Sequence, residues 1–313
     1  MDRDDLELFQ RSVRNATEST TGAALDAALV DLGWHEALAF EPRAAVATLF
    51  ELQGAANATS SALDHLLLHA LGVEASSVVL PPVGAWSPPG EVDGDRLVVH
   101  GLGTAALVDG ATAVVAARTA DKEVAVVVAT TDLTRRPVGG VDPWLGLVEV
   151  HGMIEAADVA PGDWSSAVAL GHLALGHELV GASRQMLALA REHALERVQF
   201  GQPIAMFQAI RHRLAETLVA IEAADAVLDA AWLDGSPQTS AMAKALAGRA
   251  ARTSARHCQQ VLAGIGFTTE HALHRYIRRV LVLDQLLGSS KALTASLGRD
   301  LLATRHLPPL LPL

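Results

Sequence analysis

The sequence predicts a mainly helical α+β chain, with a helical N-terminal unit, a middle antiparallel β unit and a C-terminal helical bundle. Three observations predict it. Apolar residues recur at helical spacing up to about residue 75, gather in short β-branched runs from Ser76 to about residue 160, and return to helical spacing after Pro161-Gly162-Asp163. Half of the 313 residues are apolar but only 4% are aromatic, so the core is built from Ala, Leu and Val, which suits closely packed helices. Turn residues, Ser236-Pro237 and the stretch 264–269 among them, punctuate the last part. The expected units are 1–75, 76–163 and 164–313.

In the first unit, Leu6, Phe9 and Val13 mark a helix over 4–21, and Leu25, Leu29 and Leu32 mark another over 23–31. A third is expected over 42–55. Residues 57–61, NATSS, are polar enough to cap a fourth, whose buried stripe is Leu63, Leu66, Leu67, Ala70 and Leu71. The β unit is read from SVVLPP, DRLVVHG, TAVVAAR, EVAVVVATT and LGLVEVHG, separated by Pro, Gly and Asp. Within it Gly101-Leu-Gly103-Thr-Ala-Ala imitates a phosphate-binding loop. No helix is expected after it, since Val108-Asp-Gly leads into another strand, so a dinucleotide-binding fold is rejected. Asp109, Asp121 and Asp132 read as turn residues. The bundle is expected as helices over about 164–196, 204–233, 238–263, 270–286 and 290–305, with 308–313 an unattached tail.

Composition narrows the function classes. A formal net charge of −11 argues against a nucleic-acid or anionic-membrane surface. Cys258 is the only cysteine, so no intrachain disulfide forms and a reducing compartment is expected. The acidic start MDRDDLELFQ lacks a signal pattern, and apolar runs stop short of the roughly 20 residues that span a bilayer. The expectation is a soluble cytoplasmic protein.

The most informative stretch is 197–208, RVQFGQPIAMFQ, between two long helices. Gly201 ends the first, and Pro203 suits the first turn of the second, whose early amides could receive an anion. Arg197 would add a charge-assisted contact of about 1.5–3 kcal/mol. Phe200 and Phe207 offer flat apolar faces. Together they suit a ligand carrying both phosphate and an aromatic ring.

This stretch resembles the R-x-Q-F-G-x-P-I-x-x-F-Q turn of the acyl-CoA dehydrogenase family. A second stretch, QVLAGIGFTTEHALHRYIRR over 260–279, resembles the family's Q-x-x-G-G-x-G-F motif and the helix that follows. The resemblance is specific over 164–313 and weak before residue 160. It implies the acyl-CoA dehydrogenase fold, with both turns reaching across a subunit interface to hold the adenine half of FAD. The residues carried over are Arg197, Phe200, Phe207 and Gln208 from the first motif, and Gln260, Val261, Leu262, Ala263 and Gly264 from the second. Ala263 replaces the motif's first glycine, which is tolerable at φ < 0 and costs about 1–3 kcal/mol otherwise. Arg275, Arg278 and Arg279 follow as either surface or interface ion pairs or phosphate contacts.

The family reaction takes an α-proton onto a carboxylate and passes a β-hydrogen to flavin as hydride. The two positions that supply the glutamate in family members fall here at Leu287 and Gly171, and neither can take a proton. His172 could in principle, but a buried hydrogen-bonded histidine or a CoA contact is the blander reading. No H-E-x-x-H pattern is present, His172 and His177 do not share a helix face, and no metal site is expected. His257, His271 and His274 read as surface or interface residues. The family's flavin-ring loop, T-E-P-x-x-G-S-D-like, and its W-I-S/T segment are not legible in VLPPVGAWSPPG and GLGTAAL.

The resemblance is therefore to one half of a heteromeric enzyme, the smaller subunit of an α2β2 acyl-CoA dehydrogenase of the kind found in steroid-degrading bacteria. It implies a larger acyl-CoA dehydrogenase subunit as partner, supplying the base and the flavin-ring loop. It also implies a CoA thioester from steroid catabolism as substrate and an electron-transfer flavoprotein as acceptor. The alternative is a catalytically silent scaffold or regulatory subunit; a self-sufficient homotetramer using His172 is a third reading.

Overall fold

The computed structural model describes residues 3–156 and 158–305. The expected tail over 308–313 lies outside the described residues. Five helices come first: α1 (Arg3–Ser19), α2 (Ala23–Asp31), α3 (Trp34–Phe40), α4 (Pro42–Ala56) and α5 (Ala62–Leu71). Helix α3 was not expected. It starts from Gly33 in the left-handed region, and its Trp34 is fully buried with Nε1 donating to the Ala45 carbonyl of α4.

The strands are β1 (Ser77–Val78), β2 (Gly90–Asp93), β3 (Arg96–Gly103), β4 (Thr112–Arg118), β5 (Glu123–Ala129), β6 (Thr134–Pro137), β7 (Val148–Glu155) and β8 (Asp158–Pro161). They form one sheet in the order β6-β7-β3-β2-β4-β5-β8, with β1 also paired to β4. The sheet is mixed rather than purely antiparallel, because β1 and β2 both run parallel to β4. A short helix, α6 (Ala105–Asp109), does follow Gly103, contrary to expectation. It has five residues and leaves a strand held antiparallel to β2 and β7, so no dinucleotide-binding crossover results.

The last part is helical: α7 (Trp164–Glu196), α8 (Gln208–Asp234), α9 (Pro237–Leu262), α10 (Leu273–Leu283) and α11 (Ser290–Thr304). Local chemistry sets the starts. Asp163, Ser236 and Ser289 each accept a hydrogen bond from the third backbone amide beyond, and Pro237 occupies the first turn of α9. A two-strand hairpin, β9 (Val198–Gln199) with β10 (Gln202–Pro203), and a 3₁₀ turn over 204–206 separate α7 from α8. Pro203 therefore precedes a 3₁₀ turn and does not open α8 as expected, because the hairpin pairing takes up the residues that would have formed the helix's first turn.

The 33-residue α7 is the axis on which α4, α5, α8, α9 and α10 pack. Its glycines make that possible. A Cβ on Gly181 would run into the Glu51 carbonyl of α4, and one on Gly54 of α4 would run into the Glu178 carbonyl of α7. The two helices therefore touch backbone to backbone, each supplying a glycine. Gly181→Ala should lower stability by about 1–3 kcal/mol in urea titration, because helical carbonyls cannot step aside. Gly298→Ala, at a position with nothing within 4 Å, should be neutral or stabilising by up to about 1 kcal/mol.

Candidate functional site

Helix α7 ends where the Arg197 amide donates to the His193 carbonyl, 2.9 Å away. The chain then turns through Phe200 and Gly201, both at positive φ (51° and 80°), as the tight two-residue hairpin requires. Phe200 stands at the tip, 93% exposed, with its ring edge-on to Phe207 at 6.1 Å between centroids. Arg197 and Gln208 are exposed as well. A phenylalanine this bare beside an arginine and a glutamine offers a stacking and hydrogen-bonding surface that the chain itself leaves uncovered.

The second motif ends α9. Val261 and Leu262 are buried anchors, while Gln260, Ala263 and Gly264 face outward. Ala263 has φ 52° and ψ −131°, so the strained alternative holds: a residue with a Cβ occupies a conformation natural to glycine, at a cost of about 1–3 kcal/mol. The His193 and His271 rings lie 6.5 Å apart, which brings the end of α7 and the segment after the second turn to the same end of the bundle.

Gly171 and Leu287 meet in space. A Cβ on Gly171 would lie 2.5 Å from Leu287 Cδ1 and 3.3 Å from Leu67 Cδ2, and Leu287 is 1% exposed. Leucine side chains fill the spot at which the two positions expected for the base converge. His172 is buried beside it, with Nε2 2.7 Å from the Leu287 carbonyl. A carbonyl only accepts, so Nε2 carries the proton and Nδ1 is a bare lone pair with no hydrogen-bond partner among the described residues. Burial, followed by the nearby Lys244 charge, pushes its pKa down to about 3, which makes it a poor proton acceptor. The fully buried Lys244 donates to the carbonyls of Asp284 (2.9 Å) and Gly288 (2.7 Å). The turn over 284–288 is thus tied down from beneath by two side chains.

The loop over 81–89 closes over the same turn. Gly84 N donates to the Gln285 carbonyl at 3.0 Å, and Trp164 Nε1 donates to the Trp86 carbonyl at 2.9 Å. The Trp86 ring packs so close to Gly288 that a Cβ there would lie 2.8 Å from its Cε3. Alongside runs a cleft of about 560 Å³ lined by Trp86, Trp164, Val168, His172 and Leu293, with Arg118 at the β unit's edge. The Trp86 indole thus occupies the space against Gly288, whereas Arg197, Phe200 and Gln208 stand exposed.

Two expectations are corrected. Arg279 is neither a surface ion pair nor a phosphate contact: it is 1% exposed, with Nε donating to Asp142 (2.7 Å), Nη1 to the Ala58 carbonyl (2.7 Å) and Nη2 to Thr59 Oγ1 (3.0 Å). It shares the inward face of α10 with Tyr276, Val280 and Leu283. Glu178 of α7 approaches its Nη1 at 3.7 Å, and burial pushes that carboxyl's pKa up to about 7. His257 is buried against Thr217 Oγ1 at 3.0 Å and is not a surface residue.

Residues 165–302 match the family model described as acyl-CoA dehydrogenase, C-terminal domain. A curated relative, acyl-CoA dehydrogenase IpdE2 of Mycobacterium tuberculosis, is 36% identical over 162 residues, 51% of this chain and 50% of that protein. Its counterpart in Mycolicibacterium smegmatis is 31% identical over 159 residues, 51% of this chain and 47% of that protein. The chain thus spans about half the length of these curated relatives. Among solved structures, a variant of the Tcur3481-Tcur3483 steroid ACAD superposes with a TM-score of 0.81 at 20% identity, covering 96% of this chain and 98% of that one. The ChsE4-ChsE5 complex from Mycobacterium tuberculosis superposes with a TM-score of 0.78 at 19% identity, covering 99% of both. These similarities extend the fold to the whole chain.

The buried titrating groups give the fold a pH signature. His172, with its pKa near 3, and His177, pushed by burial to about 4, stay neutral in the folded state while the unfolded chain takes up protons below about 6.5. Their contribution to stability is complete above that pH and is lost as pH falls toward 4 and 3. Glu178 acts oppositely: its folded pKa is raised, so stability falls as pH rises from 4.5 to about 7. In urea titrations between pH 4.5 and 6.5, His172→Gln should reduce the rise of stability with pH by about 1.4 kcal/mol per unit, and Glu178→Gln should steepen it by a similar amount.

Proposed function

Because residues 165–302 match the model of the acyl-CoA dehydrogenase C-terminal domain and the chain shares the fold of acyl-CoA dehydrogenases throughout, we propose that this protein is the adenine-side half of a heteromeric FAD-dependent acyl-CoA dehydrogenase. The observation that carries the proposal is an asymmetry. The turn bearing Arg197, Phe200 and Gln208 is open to another chain, whereas the place for the base is filled by Leu287 against Gly171.

Arg197 holds a phosphate oxygen by a charge-assisted contact, Phe200 and Phe207 stack on adenine, and Gln208 with the 260–264 turn supplies hydrogen bonds to the nucleotide. FAD, when bound, supplies the hydride acceptor. The carboxylate that removes the α-proton and the loop that embraces the flavin ring come from a larger partner subunit, in an α2β2 arrangement. His172 does not act as the base, because its free nitrogen is too weakly basic. The substrate is a CoA thioester, with a steroid-derived acyl group the favoured class. The steroid class is supported by the Tcur3481-Tcur3483 steroid ACAD among the structural neighbours, and the two-chain arrangement by the ChsE4-ChsE5 complex. An electron-transfer flavoprotein is the expected acceptor.

Co-expression with a larger dehydrogenase-like subunit should yield a complex with two flavins per four chains. Arg197→Ala should weaken flavin retention about 10- to 100-fold, the equivalent of about 1.5–3 kcal/mol, with the complex still assembled. A silent scaffold would leave the partner's flavin content unchanged by that substitution. A flavin-loaded, active homomer of this chain would overturn the proposal.

A further inference from the structure

The face of the sheet formed by β3, β7 and β6 carries a cluster that the flavin chemistry does not use. Register places His100 of β3 directly opposite His151 of β7, and Glu149, two residues along β7, opposite Arg136 of β6. The His100 amide donates away from β7, to the Pro89 carbonyl at 2.9 Å. His100 and His151 are therefore a non-hydrogen-bonded cross-strand pair, the type whose side chains approach most closely. Their rings stack with centroids 4.7 Å apart and planes 13° from parallel.

His151 Nε2 lies 3.2 Å from Glu149 Oε1, and one ligand atom from each of the three residues falls within 4.8 Å of the others. Arg136 engages the other carboxylate oxygen, Oε2, with its Nε at 3.0 Å. Oε1 stays turned to the imidazoles, and the arginine orients the carboxylate from behind as an outer-shell partner does. His100, Glu149 and Arg136 also line a cleft of about 580 Å³ walled by Pro82, Val83 and Val138.

We propose that His100, His151 and Glu149 form a binding site for a divalent transition metal, zinc above all, with a remaining coordination position open to that cleft. Two imidazoles and one carboxylate are a nitrogen–oxygen donor set suited to zinc, and three protein ligands leave a position free. Tetrahedral coordination with bonds of about 2.0–2.2 Å needs donor atoms about 3.4 Å apart, so the cluster has to contract by up to about 1.4 Å. Side-chain rotation of the two exposed histidines supplies this without moving the strands. Arg136 is already paired through Oε2.

The test is zinc titration of the chelator-treated full chain by calorimetry, alone and with His100→Ala, His151→Ala and Glu149→Gln. Wild type should take up one zinc per chain, each histidine substitution should weaken binding at least tenfold, and Glu149→Gln should weaken it measurably. Melting in the presence of chelator should be unchanged, since these side chains lie on the sheet surface. Cobalt in place of zinc should give the wild-type chain a visible ligand-field band that the histidine variants lack. No uptake at about 0.1 mM zinc would overturn the site. So would uptake insensitive to both histidines, which would instead point to the Glu51, His177 and Asp225 group beside Arg184.

Discussion

The arrangement depends on one buried guanidinium. Arg279 reaches from α10 to Ala58 and Thr59 at the end of the first helices, to Asp142 in the β unit and toward Glu178 on α7. A guanidinium withdrawn from water is tolerable only when its donors are answered, and here a carboxylate, a carbonyl and a hydroxyl answer them. The acceptors come from two stretches of chain, 58–59 and 142, and Glu178 approaches from a third. The arginine therefore makes the mutual placement of those stretches a condition of its own burial, and Tyr276 adds a bond from its hydroxyl to the Ala55 carbonyl. Asp64 does similar work between α5 and the sheet, accepting from Val78 N and Thr104 Oγ1.

That fixed geometry gives the 284–288 turn its meaning. It follows α10 directly, so it inherits the register set by Arg279, and Lys244 and His172 hold its carbonyls from below. A scaffold of this stiffness could present a catalytic carboxylate at Leu287 with accuracy. It presents a leucine, packed into the space that Gly171 leaves and covered by the loop carrying Trp86. This is the pattern expected if the chemistry happens on another chain while this one keeps its shape for assembly and for gripping a nucleotide.

Much of the helical architecture could be read in advance. Local signals decide it: the return of helical apolar spacing after Pro161-Gly162-Asp163, and the breaks at Ser236-Pro237 and 264–269. The two turn motifs were equally readable, because a run such as RVQFGQPIAMFQ is contiguous. Helix α3 was missed, as its seven residues are too few to show a period, and α6 was missed for the same reason. Pro203 misled because a proline fits a hairpin followed by a 3₁₀ turn as readily as a helix start. Arg279 misled because a sequence shows only that an arginine lies on a helix, not which face turns inward.

By itself, then, the sequence determined the order of helical and β segments and the make-up of the two turn motifs, since each is set by residues within a few positions of one another. Tertiary structure alone decided that Gly171 and Leu287 share one point in space, that Arg279 lies inside and that His100 faces His151 beside Glu149. Those outcomes depend on helix crossings and strand register between segments dozens to more than a hundred residues apart. A shift of one residue in the β3–β7 pairing would move His100 out of reach of both its neighbours.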